Sequence, residues 1–164
     1  MLPPVRKASA QRAVPPGTLL APAFALPVRV YYQDTDAGGV VFHAGYVNFF
    51  ERARTEWLRH MGFSVRDLAE HEKVLFIVRE LHVRYLKPAV LDDELTVTTA
   101  IEHLGFVSMT VEQRVLRGAE LLVNASVNLA CVAADELKPT RVPAQVRSAL
   151  ERSLGTSATA QEDA

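Results

Sequence analysis

Asp34-Thr35-Asp36-Ala37-Gly38-Gly39-Val40-Val41-Phe42-His43 leads directly into Ala44-Gly45-Tyr46-Val47-Asn48-Phe49-Phe50-Glu51-Arg52-Ala53-Arg54-Thr55-Glu56-Trp57-Leu58-Arg59-His60-Met61. The first segment is a glycine-bearing turn with two carboxylates that ends in a histidine. The second is amphipathic. At about 100° per residue, Tyr46, Phe50, Ala53, Trp57 and Met61 fall on one stripe, flanked by Val47, Phe49 and Leu58. A helix from about His43 to Met61 is expected, with Gly62 at its C′ position. Arg54 falls on the apolar arc, where an ion pair with Glu51 or a turn carboxylate is expected to satisfy it.

Around this helix the chain reads as strands. Val28 to Gln33 is β-branched and aromatic. Lys73 to Leu86 places Leu75, Ile77, Leu81, Val83 and Tyr85 on one face. Glu94 to His103 does so with Leu95, Val97, Thr99 and Ile101. Phe106 to Arg117 uses Val107, Met109, Val111 and Val115. Glu120 to Ala133 uses Leu121, Val123, Ala125, Val127, Leu129 and Cys131. Long period-two alternation with Gly105 and Gly118 at the joints predicts antiparallel hairpins with one face on a core. The opposite faces, with His82, Arg84, Glu112, Arg114, Asn124, Ser126 and Asn128, are expected to meet solvent or another subunit. Pro143, Val146, Ala149 and Leu150 predict a short terminal helix. One apolar helix face and one long sheet satisfy each other's need for burial. The expected fold class is α+β, a long central helix wrapped by a curved antiparallel five-stranded sheet.

A chain of 164 residues suits one compact domain. Residues 1–27 hold Pro3, Pro4, Pro15, Pro16, Pro22 and Pro27 and are expected to form a flexible extension. Residues 28–154 form the expected domain, and 155–164 a flexible tail. A net charge of −1 predicts neither broad nucleic-acid binding nor adhesion to anionic membranes. No segment reaches membrane-spanning length. The single cysteine, Cys131, excludes an internal disulfide framework, and a reducing, cytoplasmic location is expected. Cys131 sits in an alternating apolar run and is expected to be a small buried residue.

The turn carries the chemistry. A helix start offers free N–H groups and partial positive charge to an anion or developing oxyanion. Asp36 and His43 reach this place from either side of the turn, which suggests acyl transfer or hydrolysis. Asp34 is expected to bond its own backbone. No further residues complete a divalent-cation site around the Asp-x-Asp pair, so no metal or cofactor is expected. His60, His71, His82 and His103 are expected on the surface or in strands. Glu51 as a second acid is less favoured than its pairing with Arg54.

Val30 to His43, Tyr46, Phe50 to Glu56, Val83-Arg84-Tyr85, Pro88-Ala89, Leu91-Asp92-Asp93 and Lys138-Pro139 resemble the hotdog-fold acyl-CoA thioesterases of the 4-hydroxybenzoyl-CoA thioesterase type, nearest the Tol-Pal-associated (YbgC-like) branch. The resemblance covers roughly residues 28 to 150. It implies hydrolysis of an acyl-CoA or acyl-carrier-protein thioester, with Asp36 as nucleophile or general base. It also implies His43 as its partner and an oxyanion-binding N–H at about His43. Val41, Phe42, Tyr46, Arg84, Lys87 and Lys138 are the expected substrate-binding residues. Arg84, Lys87, Lys138 and Arg141 are candidates for the coenzyme phosphates. Gln33 and Phe42 depart from the branch, which often has an acid and a tyrosine there. A homodimer or homotetramer with sites at subunit boundaries is implied. The alternatives are a hotdog hydratase or dehydratase and a non-catalytic acyl-CoA-binding or envelope-associated accessory protein.

Overall fold

The computed structural model describes residues 24–159. One antiparallel sheet has the strand order β1-β3-β4-β5-β2. Its strands are β1 (Phe24–Arg29), β2 (Val74–Tyr85), β3 (Glu94–Leu104), β4 (Ser108–Arg117) and β5 (Glu120–Ala133). A single 3₁₀ turn, Tyr32–Asp34, precedes helix α1 (Gly45–His60), and α2 (Val65–Glu70) and α3 (Ala144–Thr159) follow. This is the expected α+β hotdog arrangement of one long helix against a five-stranded antiparallel sheet.

α1 buries Tyr46, Phe49, Phe50, Ala53, Trp57 and Leu58. Its first half packs with Val28, Val30, Leu95, Val97, Val115, Val123 and Ala125. Its second half packs with Leu68, Met109, Val111, Val127, Leu129 and, from α3, Val146 and Leu150. Each of the large aromatic side chains Phe49, Phe50 and Trp57 gains about 2 kcal/mol from burial. The helix stops in a Schellman arrangement. The Phe63 N–H bonds the Leu58 carbonyl at 3.0 Å, and the Gly62 N–H bonds that of Arg59 at 2.9 Å. Gly62 takes φ +95°, which a Cβ would oppose.

Three expectations about boundaries change. β1 starts at Phe24, four residues before Val28, so the expected edge of the extension at residue 27 cuts a strand. Pro27 is tolerated because β1 is an edge strand, whose outer side needs no N–H donor. α3 runs to Thr159, through the expected start of the tail at 155. The remaining parts of both terminal segments, 1–23 and 160–164, lie outside the described residues. α2 was not expected. Ser64 caps it by accepting the Asp67 N–H at 3.0 Å, a Ser-x-x-Asp signal present in the sequence.

Bulges overturn part of the face assignment. In β2, Val78 pairs with Leu129 but Glu80 pairs with Asn128, so Arg79 is an extra residue. The parity of the strand therefore reverses. Val74 and Phe76 face the core before the bulge, and Leu81 and Val83 after it. Ile77, expected inside, is 40% exposed. In β5 the extra residue is Leu122, between the Val115↔Val123 and Leu116↔Leu121 pairs. Leu122 is fully buried, whereas Leu121, expected in the core, is half-buried. On the outer face, where solvent or another subunit is expected, Arg114 is only 8% exposed and pairs with Glu112 of its own strand.

Arg54 does not ion-pair with Glu51. Its Nη1 donates to Gln113 Oε1 at 2.8 Å, while Gln113 Nε2 donates to the Phe50 carbonyl at 3.0 Å and to Thr99 Oγ1 at 2.8 Å. The Glu51 carboxylate accepts from Thr55 Oγ1 at 2.8 Å instead. Burial pulls the Arg54 pKa below the usual arginine value, and the Glu51 charge opposes that pull. Gln113 thus supplies the partner that a half-buried guanidinium requires. Gln113→Leu removes the partner of the Arg54 guanidinium and of Thr99 Oγ1 and the extra bond to the Phe50 carbonyl. It is expected to destabilise the fold by about 2 kcal/mol, seen as a lower urea midpoint at unchanged slope.

Candidate active site

Residues 35–41 form a small hairpin in which Thr35 bridges Val41. The Asp36 N–H bonds the Val40 carbonyl at 2.9 Å, and the Gly39 N–H bonds the Asp36 carbonyl at 3.0 Å. Gly39 has φ +78°, which closes the three-residue loop. Asp36 Oδ1 accepts the Gly38 N–H at 2.7 Å. That bond fixes the carboxylate against the turn, and Oδ2 has no partner among the described residues. Asp34 is structural, as expected. Its Oδ2 accepts the Tyr31 N–H at 2.8 Å and its carbonyl accepts the Phe42 N–H at 3.0 Å.

The hairpin is tied to the body through Ala89. The Val41 N–H donates to the Ala89 carbonyl at 2.9 Å, and the Ala89 N–H donates to the Tyr46 hydroxyl at 3.0 Å. Burial raises the Tyr46 pKa, although the Ala89 N–H works against it. The segment before Ala89 hangs from the β5 bulge, where the Leu122 carbonyl accepts the N–H groups of Leu86 at 2.8 Å and Lys87 at 3.1 Å. Arg117 braces the far side, bonding Asp93 Oδ2 at 2.7 Å. Asp93 Oδ2 also accepts the Val90 N–H at 2.9 Å.

At the start of α1, the N–H groups of His43 and Ala44 bond no acceptor among the described residues. Tyr85 donates its hydroxyl to the His43 carbonyl at 2.8 Å. Because a trans peptide points its N–H opposite its C=O, this bond also orients the Ala44 N–H. The sequence places Tyr85 in a core stripe and in the Val83-Arg84-Tyr85 match, without this contact. Its signal was a polar-tipped aromatic ending an apolar run. Asp36, Val41, His43, Tyr46, Tyr85 and Lys87 all line one open cleft of about 340 Å³.

The expected site residues divide accordingly. Asp36, Val41, His43, Tyr46 and Lys87 come together. Val41 and Tyr46 are buried, at 4% and 3% exposure, so they shape the cleft wall rather than offer free polar groups. Phe42 is exposed, with its ring 4.3 Å from that of His43. Lys87 pairs with Glu120 at 3.3 Å. Arg84 alternates with Tyr85 and so projects from the other face of β2. Lys138 pairs with Glu136 at 3.0 Å beside Ala133 of β5, the end of the sheet away from Tyr85, so this chain does not bring it to the cleft. Cys131 is buried and its thiol is pushed up to about 11 by burial, which makes it inert as a nucleophile. Among the described residues no group of histidine, cysteine and carboxylate side chains is arranged to hold a metal ion.

Residues 38–123 match the family model of the thioesterase superfamily. The chain belongs to that family. It is 44% identical over 131 residues to the acyl-CoA thioesterase YbgC of Haemophilus influenzae, covering 80% of this chain and 96% of the relative. It is 48% identical over 124 residues to the acyl-CoA thioester hydrolase YbgC of an Escherichia coli strain, covering 75% of this chain and 92% of the relative. Among solved structures, a probable thioesterase from Bartonella henselae superposes with a TM-score of 0.71 at 41% identity, over 73% of this chain and 98% of that one.

A Cβ on residue 38 would lie 3.0 Å from Asp36 Oδ1. Gly38→Ala is therefore expected to turn the carboxylate away. The expected loss in kcat is about tenfold to a hundredfold with little change in Tm, measured by thiol release and thermal unfolding side by side.

Proposed function

We infer that this chain is an acyl-CoA thioesterase, and that Asp36 delivers the attack on the thioester carbonyl. The observation that carries this reading is a carboxylate pinned through one oxygen, with the other free, in one cleft with a helix start whose first N–H groups bond no acceptor among the described residues. A thioester has a good leaving group, so the residues need to supply attack and charge stabilisation. Asp36 Oδ2 either adds to the carbonyl, forming a mixed anhydride that water then opens, or takes a proton from the attacking water. The N–H groups of His43 and Ala44 receive the oxyanion. The His43 imidazole, next to them, holds the water or carries its proton. Lys87 at the cleft rim suits a coenzyme phosphate, and Arg84 does so from the other face of β2. The substrate is a coenzyme A or acyl-carrier-protein thioester, and the place of action is the cytoplasm.

The working unit is a homodimer or homotetramer. The support is the β2 edge: twelve residues long, lacking proline, and carrying Ile77, Val78 and Tyr85 at 40–48% exposure. An uncovered edge of that kind favours pairing with a second copy, whereas the β1 edge is blunted by Pro27. Tyr85 of β2 also lines the cleft, so a second copy paired on this edge lies beside it.

Asp36→Asn is nearly isosteric and is expected to lower kcat by about a thousandfold or more with the fold retained. Thiol release from an acyl-CoA panel measures it, and near-normal turnover by folded mutant would remove Asp36 from the mechanism. His43→Ala is expected to slow the reaction less, since alanine keeps the backbone N–H. For the assembly, light scattering at low concentration is expected to report at least a dimer. Mixing Asp36→Asn chains with His43→Ala chains reads out the geometry: activity stays low if both residues of a site belong to one chain and recovers if they act across the boundary.

A further inference from the structure

The better-enclosed cavity is not the one at Asp36. It measures about 230 Å³ and lies between the second half of α1, α2 and the start of β2. Its interior is apolar, with Trp57, Leu58, Leu68, Phe76, Met109 and Leu129, and its polar atoms come from Glu51, Arg54 and Thr55 on the α1 side. Arg54 is drawn to Gln113 by its 2.8 Å bond, so an aliphatic stem and not a free charge borders the cavity. An apolar cavity of about 150 Å³ holds benzene. By that measure this one takes on the order of nine carbon atoms.

Both hollows lie along the same two elements. The cleft has Tyr46 of α1 and Tyr85 of β2, and the cavity has Leu58 of α1 and Phe76 of β2. Between them, Val47, Leu81 and Val83 are half-buried. Along α1 and β2 these three apolar positions make a strip between the residues of the cleft and those of the cavity, bordered on α1 by Glu51 and Arg54 as well.

We propose that this strip and cavity are the acyl site, and that the enzyme selects long straight-chain acyl thioesters. The proposal rests on the thioesterase reading above. From Tyr46 to Arg54, on the α1 wall of the cavity, the helix rises about 12 Å. An extended chain advances about 1.2 Å per bond, so about ten bonds reach it. Each methylene taken fully from water favours binding by about fourfold. Short acyl groups stop on the strip and gain none of the cavity.

The test compares butyryl-CoA, octanoyl-CoA and dodecanoyl-CoA by thiol release, below the micellar range, in wild type, Thr55→Trp and Val65→Trp. Both substituted residues line the cavity away from the β2 edge, Thr55 half-buried and Val65 46% exposed, where a larger side chain enters neither the core nor the proposed subunit interface. The expected result is a wild-type kcat/KM that rises at least tenfold from butyryl to dodecanoyl. At least one folded variant should lower the dodecanoyl-to-butyryl ratio tenfold. A wild-type rate that is flat or falls with chain length, or a ratio unmoved in both variants, overturns the proposal. Binding of dodecanoate, read by calorimetry, separates the two layers. Thiol release from none of the thioesters would defeat the thioesterase reading, and dodecanoate binding that the variants abolish would still establish the cavity. Absence of dodecanoate binding to wild type together with butyryl turnover defeats the cavity alone.

Discussion

The cleft that holds Asp36 and His43 depends on the two backbone groups of Ala89. Its carbonyl holds Val41, the last residue of the Asp36 hairpin, and its N–H is held by the Tyr46 hydroxyl in the first turn of α1. Ala89 is completely buried, so neither bond competes with water. A loop with no regular structure of its own is thereby given the rigidity of a strand pair. Because the hairpin and the helix are hydrogen-bonded to the same residue, Ala89 fixes how the Asp36 turn sits against the start of α1. The ion pair of Arg117 with Asp93 acts behind this junction. Burial works against ionisation of Asp93, but the Val90 N–H and Arg117 outweigh it and hold the carboxyl below its usual range.

Much of this was legible in the residues. The helix and its terminus at Gly62, the four long strands and their hairpin joints follow from apolar periods of 3.6 and 2. Asp36 and His43 were identifiable because a glycine turn, an acid and a helix start are contiguous in sequence, so no long-range information was needed to place them together. Tyr46 joins them by the same contiguity, whereas Lys87 reaches the cleft through the long-range bonds of the 85–89 segment to His43 and Tyr46.

The remainder was set by pairing between distant strands. A bulge leaves no mark on a period-two pattern, so Arg79 and Leu122 could be recognised only from their partners in the neighbouring strand. The partner of Arg54 was hidden similarly. Gln113 occupies a core-facing position between Val111 and Val115, and a polar residue in that phase was the available sign that something polar crosses from the helix. Tyr85 looked like one more apolar residue because its hydroxyl meets a carbonyl forty-two positions away. Arg84 and Lys138 match the family pattern but do not line the cleft with Asp36 and His43 within this chain.

The extra residue at Arg79 makes β2 two reading frames joined in one strand. Before it, Val74 and Phe76 supply the wall of the cluster around Trp57; after it, Leu81 and Val83 continue toward Phe50 and Tyr46. Each frame is free to accept substitutions that preserve size and polarity, but the two are locked in phase with each other. Loss of one residue there would exchange inside for outside over the whole preceding segment, placing Leu75 and Ile77 inward and Phe76 outward. The strand is thus far more tolerant of changes in spelling than of changes in length, and sequence comparison across this stretch has to be anchored separately on its two sides.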